Sequence, residues 1–240
     1  MYKPNYTNSP KIIRAFSETP GFFIVGPILT TSGYLNPIYP DSRRTFSDPK
    51  LLQIIIDETK KFIKTKKIKF DVVCGGATAG IMLSSPLALQ LGKPQIYVRQ
   101  KPKAGGMKLA VEGAFKKGQR VLLIDDATAG GAHKLDFVRN LKQVGLRTVA
   151  IVVPFARNRF APGDHDWLKD KLMHGITYQC FCDLNDIKNY SVKKHLMTPL
   201  ASEIIDWYMN DPDHWHKNKT QLKIFNDYKN LKKRASKTNI

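Results

Sequence analysis

Gln119-Arg120-Val121-Leu122-Leu123-Ile124-Asp125-Asp126-Ala127-Thr128-Ala129-Gly130-Gly131-Ala132-His133 is the stretch whose reading decides the fold. Its four consecutive apolar residues, Val121 to Ile124, are β-branched at both ends and flanked by polar residues, so they read as a strand buried on both faces, as in a parallel sheet. The strand ends in two acids. After small residues and glycines, Leu135, Val138 and Leu141 recur at helical spacing and predict the buried face of a helix. A strand, a tight loop and a helix N-terminus in succession make an anion site, because loop amides and the positive end of the helix dipole attract a phosphate that glycines allow to approach. Asp125 and Asp126 can accept hydrogen bonds from neighbouring sugar hydroxyls or hold a hydrated magnesium ion. The alternative is that the acids only cap the helix.

This stretch resembles the phosphoribosyl pyrophosphate (PRPP) motif of type I phosphoribosyltransferases, and its neighbours resemble orotate phosphoribosyltransferase. The resemblance implies that Asp125 and Asp126 bind ribose hydroxyls while Thr128, Ala129, Gly130, Gly131 and Ala132 wrap the 5-phosphate. The family has Val-Ile after the acids, then threonines and glycine. An ungapped alignment puts Ala129 and Ala132 where hydroxyls are expected, whereas a one-residue deletion after Asp126 keeps Thr128 in the loop, and the deletion is the reading adopted. Either way fewer side-chain donors reach the phosphate.

Outward from the motif, 240 residues suit one α/β domain with a small appendage. A net charge of +19 calls for anionic partners without choosing among nucleic acid, membrane surface and polyphosphate. Cys74, Cys180 and Cys182 are too few for a disulfide framework and sit in apolar runs, which implies a reduced, cytoplasmic setting. Strand alternation would put Cys180 and Cys182 on one face, with burial the preferred reading over metal ligation. No apolar stretch approaches the roughly 18 residues of a membrane span, and none reads as a signal peptide.

Residues 11 to 16 suggest a short helix, and Gly21 to Gly26 a short strand. Thr30 to Arg44 resembles the family's orotate-contacting segment through Ser32, Gly33, Pro37, Ile38, Tyr39, Asp41 and Arg43, which implies stacking of Tyr39 on the base. Packing of Tyr39 within a hood is the alternative. Leu35-Asn36 stands where relatives carry Lys or Arg before Ser-Pro. Asp48-Pro49 opens a helix, and Phe70 to Cys74 is a strand entering the glycine-rich turn Gly75 to Gly80. In the resembled family this turn is the pyrophosphate loop, a role that falls here on Thr78, Ala79 and Gly80. Gln95 to Val98 is a further strand, and Arg99 to Lys108, with four cations, two glycines and a proline, reads as a basic lid. Arg99, Lys101 and Lys103 match the family's lid, but Gly105 replaces its histidine. The resemblance assigns Lys103 to the departing pyrophosphate, reached across a homodimer.

Thr148 to Val153 and Thr177 to Cys182 are the remaining core strands, the second leading to Asp183 and a polar connection. Between them, either Arg157 or Arg159 can clamp a carboxylate, and Thr128 and Arg157 are carried with Tyr39 as orotate contacts. Thr198 and Pro199 begin a last helix of the body, closing at Asn210 to Pro212. Residues 217–240 hold eight Lys or Arg against Asp227 alone, and Leu222, Phe225, Tyr228 and Leu231 line one face of a helix whose docking on the body is the preferred reading, with a basic face meeting RNA or lipid head groups as the alternative.

These features predict an α/β fold: a mainly parallel central sheet with helices on both faces, plus a small hood from about residues 1–45 and 183–216. The phosphoribosyltransferase domain is expected over 1–216 and a basic extension over 217–240. The resemblance implies transfer of phosphoribose from PRPP to orotate with Mg2+, in a cytoplasmic homodimer with shared active sites and no membrane contact. Mg2+ is expected mainly through PRPP, with Asp125 or Asp126 reaching it through water. The rivals are a related enzyme acting on another base and a PRPP-sensing regulator that binds nucleic acid. No helix-turn-helix fits before residue 20, and the enzyme is the preferred reading.

Overall fold

The apolar runs become strands in a computed structural model that describes residues 5–29, 35–102, 109–129, 131–157, 166–211 and 214–237. The chain begins with β1 (Asn5–Tyr6) and α1 (Pro10–Ser17), the helix capped by Ser9 and started by Pro10. A hairpin of β2 (Phe23–Leu29) and β3 (Leu35–Pro40) stands apart as its own antiparallel sheet. There follow α2 (Ser42–Ser47), α3 (Pro49–Thr65) capped by Asp48, β4 (Val72–Gly76), α4 (Ala79–Leu91), β5 (Gln95–Val98) and β6 (Val111–Glu112). Next come β7 (Arg120–Ile124), β8 (Ala127–Thr128), α5 (Ala132–Gln143), β9 (Arg147–Ala156) and β10 (Thr177–Asp183). The chain closes with α6 (Leu184–Lys193), α7 (Pro199–Asn210) and α8 (Lys219–Lys237).

The large sheet has the order β1-β10-β9-β7-β4-β5-β6, with β8 beside β9, and every pairing is parallel except β5 with β6. Alternation along the strands feeds two cores. Val72, Cys74, Val121, Leu123, Ile151 and Val153 pack with Phe137, Val138 and Leu141 of α5, while Val73, Leu122, Ile124, Ala150 and Val152 pack with residues of α1, α3, α4, α6 and α7. Burial on both faces is the reason these strands read as unbroken apolar runs. Among the described residues, no helix is long and apolar enough to cross a membrane.

Four local readings change. The connection after Asp183 is α6, because Asp183 and Asp186 form a reciprocal capping box (2.9 and 3.0 Å) and Leu184, Ile187 and Ser191 turn inward. On α5 the buried face is Lys134, Phe137, Val138 and Leu141, with Leu135 only half-buried, since Lys134 has an acid to meet below the helix. Gly75 and Gly76 extend β4 rather than beginning the turn. Cys180 and Cys182 join different cores, because alternation lapses at the end of β10, where Phe181 and Cys182 pack in the same cluster, and all three cysteines are free and buried.

The basic C-terminal helix is part of the core. Phe225, 1% exposed, meets Trp215 with ring centroids 5.2 Å apart, and Tyr228 is buried in the same cluster. Phe225→Ala is therefore expected to cost about 3–5 kcal/mol in urea unfolding, the usual range for emptying a buried phenylalanine site. A cost below ~1 kcal/mol would mean that α8 is not docked in solution.

Candidate active site

Among the five long parallel strands the order is β5-β4-β7-β9-β10, so successive connections run in opposite directions from β4. The crevice at the carboxyl ends of β4 and β7 is thus the topological switch point, where ligand loops of such sheets meet. Both connections singled out in the sequence emerge there: residues 77–78 lead into α4, and the connection that begins at Asp125 leads into α5. Neither helix has a side-chain cap at its N-terminus, so their first amides are open to an anion. Gly80 serves contact rather than backbone freedom. A Cβ there would lie 2.6 Å from the Ile124 carbonyl oxygen and 2.9 Å from Asp125 Cα. Gly80→Ala should push the two loops apart, costing about 1–3 kcal/mol of stability as overpacking does. The measurement is a urea midpoint, and an unchanged midpoint would mean that the two segments separate freely.

The two acids have different surroundings. Asp125 is 6% exposed; its Oδ1 accepts the Asp126 N–H (3.0 Å) and its Oδ2 accepts the ammonium of Lys134 (2.5 Å), itself 5% exposed. The same ammonium donates to the Ala127 carbonyl at 2.5 Å. Burial pushes the Asp125 carboxyl up to about 6, with Lys134 opposing the rise and Asp126 adding to it. Asp126 is half-buried and accepts a hydrogen bond from Ser42 Oγ of α2 (3.0 Å). Among the described residues, no group of three or more His, Cys, Asp or Glu forms a metal cage.

In the connection that follows Asp126, Thr128 is buried in β8, paired through its backbone with β9, and its hydroxyl has no partner among the described residues. Ala129 and Ala132 are exposed. Gly131 has φ +72° and sits so close to the Trp167 ring that a Cβ would come within 2.2 Å of it, so only glycine fits. Trp167 Nε1 also lacks a partner among the described residues. Thr78 is exposed and Ala79 half-buried at the start of α4.

Tyr39 is half-buried on β3 and accepts a hydrogen bond from Arg43 Nη2 (2.7 Å), an arginine that also pairs with Asp41 at 2.9 Å. The Arg99 guanidinium pairs with Glu112 (3.0 Å) and lies 5.2 Å from the Tyr97 ring centre, while Lys101 is exposed. Arg157 donates its backbone N–H to the Thr128 carbonyl (2.7 Å), which brings it beside the connection between β7 and α5. Lys103, Gly105, Gly130 and Arg159 lie outside the described residues.

Three residues were not found from sequence. Ser42 sits 84 positions from Asp126, and nothing local announces their contact. Trp167 likewise reaches Gly131 only through folding. Lys134 did carry a signal: a cation in the first turn of a helix opposes the dipole and calls for a specific partner.

A strand-end acid pair between two uncapped helix N-termini sets hydroxyl acceptors beside two helix ends that attract anions, and comparison with known proteins bears on what it takes. The family model described as phosphoribosyl transferase domain matches residues 44–171. An orotate phosphoribosyltransferase of Cereibacter sphaeroides is 32% identical over 167 residues, covering 67% of this chain and 68% of the relative. One of Dinoroseobacter shibae is 28% identical over 195 residues, covering 79% and 83%. Among solved structures, Leishmania donovani UMP synthase matches with TM-score 0.69 and 26% identity over 83% of this chain and 42% of that one, so the chain spans less than half of it. With a family match over more than half of its length and relatives of this identity, the chain belongs to the orotate phosphoribosyltransferase family.

Proposed function

We propose that the protein transfers the 5-phosphoribosyl group of PRPP to orotate, releasing pyrophosphate and forming orotidine 5-monophosphate for pyrimidine synthesis. The observation that carries this reading is the meeting, at one switch point, of the acid pair with two uncapped helix N-termini. In this arrangement the 5-phosphate lies on residues 128–132 and the start of α5. Pyrophosphate lies against Thr78, Ala79 and Gly80 at the start of α4. Between them the ribose hydroxyls meet Asp126 and the remaining lone pairs of Asp125. Tyr39 stacks on orotate, and Arg157 offers a fork to its carboxylate. As the bond from the anomeric carbon to pyrophosphate breaks and the bond to the orotate nitrogen forms, positive charge grows on the sugar and negative charge on the leaving group. Fixed helix amides and the basic lid of Arg99, Lys101 and Lys103 stabilise the latter.

Mg2+ fits this site as an ion carried by PRPP rather than held in a protein cage, because two adjacent carboxylates are too few ligands and Mg2+ keeps several waters. Asp126, with unused lone pairs, is the residue that would reach it through water; when bound, the ion neutralises pyrophosphate charge. We further propose a cytoplasmic homodimer in which each lid serves the neighbouring site. Incubation of purified protein with PRPP, Mg2+ and orotate, and separately with other bases, tests the assignment. Orotidine 5-monophosphate is the expected product, and turnover of a different base without orotate would give the site to that base.

A further inference from the structure

We propose that Lys134 is a positioning residue of the phosphoribose site: its buried ammonium bridges Asp125 and the Ala127 carbonyl, and so holds the backbone on which Asp126 and the phosphate loop are carried. The inference rests on the acid pair being the sugar site. Its geometry is a closed ring. Lys134 Nζ donates to Asp125 Oδ2 and to Ala127 O, both at 2.5 Å, while Asp125 Oδ1 accepts the Asp126 N–H at 3.0 Å. One ammonium and one carboxylate thereby bind the three consecutive residues 125, 126 and 127. Asp126 is left half-buried with its side chain steered by Ser42 Oγ at 3.0 Å.

Position and chemistry both speak against a mere packing role. Lys134 occupies the buried face of α5 with Phe137, Val138 and Leu141, where an aliphatic side chain would pack without desolvating a charge. It also stands in the first turn, where the helix dipole disfavours a cation. What it does that an aliphatic residue cannot do is tie two oxygens on either side of Asp126. A short phosphate loop with Ala129 and Ala132 at its exposed positions has no side-chain hydroxyl there to hold it from above, so a tie from below sets its shape.

Lys134→Met keeps the length and removes the tie. Lys134→Arg keeps the charge but replaces a point donor by a planar fork. Lys188→Met is the matched control, since Lys188 is also buried and paired, with Asp206, but joins α6 to α7. The variants are compared by thermal melting, by PRPP calorimetry with Mg2+, and by steady-state kinetics with orotate. Lys134→Met is expected to weaken PRPP binding and raise its KM by about tenfold or more, with the KM for orotate within ~3-fold, the pattern of a lesion confined to one substrate's subsite. Lys134→Arg should fall between, about threefold or more in the same direction. Lys188→Met should lower the melting temperature and leave both KM values unchanged. A folded Lys134→Met protein with unaltered PRPP binding, or with both KM values moved alike, overturns the proposal. Should that variant not fold, Lys134→Arg decides alone, and unaltered PRPP constants there overturn it. If the wild type binds PRPP but does not turn over orotate, the assignment of the base fails while the PRPP arm still tests the tie.

Discussion

Replacing Asp125 and Asp126 together by asparagine is expected to abolish detectable PRPP binding, and the two single changes should differ in kind. Asp126 is half-buried and bonded to Ser42, so Asp126→Asn removes a charged acceptor at the site while leaving an oxygen for the serine hydroxyl. Its melting curve should match the wild type while calorimetry with PRPP and Mg2+ loses most of its signal. Asp125→Asn also strips the counter-charge from Lys134, which is 5% exposed. Its stability should fall toward the ~3–5 kcal/mol cost of stranding a buried charge, reduced by the hydrogen bond that an amide oxygen still accepts. Undiminished PRPP binding by a folded double variant would mean that the acids serve only the fold at the start of α5.

Lys103→Ala is expected to cut turnover by roughly 10²-fold or more, the scale of losing one charge-stabilising donor in a closed site. Affinity for orotate should change much less, because the lysine is assigned to the leaving pyrophosphate and not to the base. The same variant tests the dimer. If each lid reaches across, mixing Lys103→Ala subunits with Asp126→Asn subunits restores one working site per mixed dimer, built from intact acids on one subunit and an intact lid on the other. Mixtures that stay inactive despite demonstrated exchange of subunits would confine lid and acids to one chain. Turnover unchanged in Lys103→Ala itself would remove the lysine from the mechanism.

The sequence by itself determined what depends on neighbours in the chain. Val121 to Ile124 read as a doubly buried strand, Asp48-Pro49 and Thr198-Pro199 announced helix starts through their own side chains, and the two small-residue turns marked where α4 and α5 begin. Fold class follows from such local facts, since alternating strands and helices have few ways to bury both faces of a sheet. The helix α6 was legible too, in the Asp183 and Asp186 spacing, but acids three apart read equally well as a polar connection until the apolar residues after them are seen to face inward. The tertiary structure alone decided the environment of each acid, because burial and partnership are set by residues distant in sequence. Asp125 and Asp126 are identical in chemistry and adjacent in the chain. Folding puts the first against Lys134 and beside Gly76 of β4 and Gly80 of α4, and hands the second to Ser42 from 84 residues away. The basic end of the chain has the composition of a solvated tail, yet the spacing of Leu222, Phe225 and Tyr228 predicts its docking, and folding decides only where it docks, with Phe225 on Trp215. Composition counts charges over a whole segment, whereas docking depends on the few apolar residues that a helix lines up on one side.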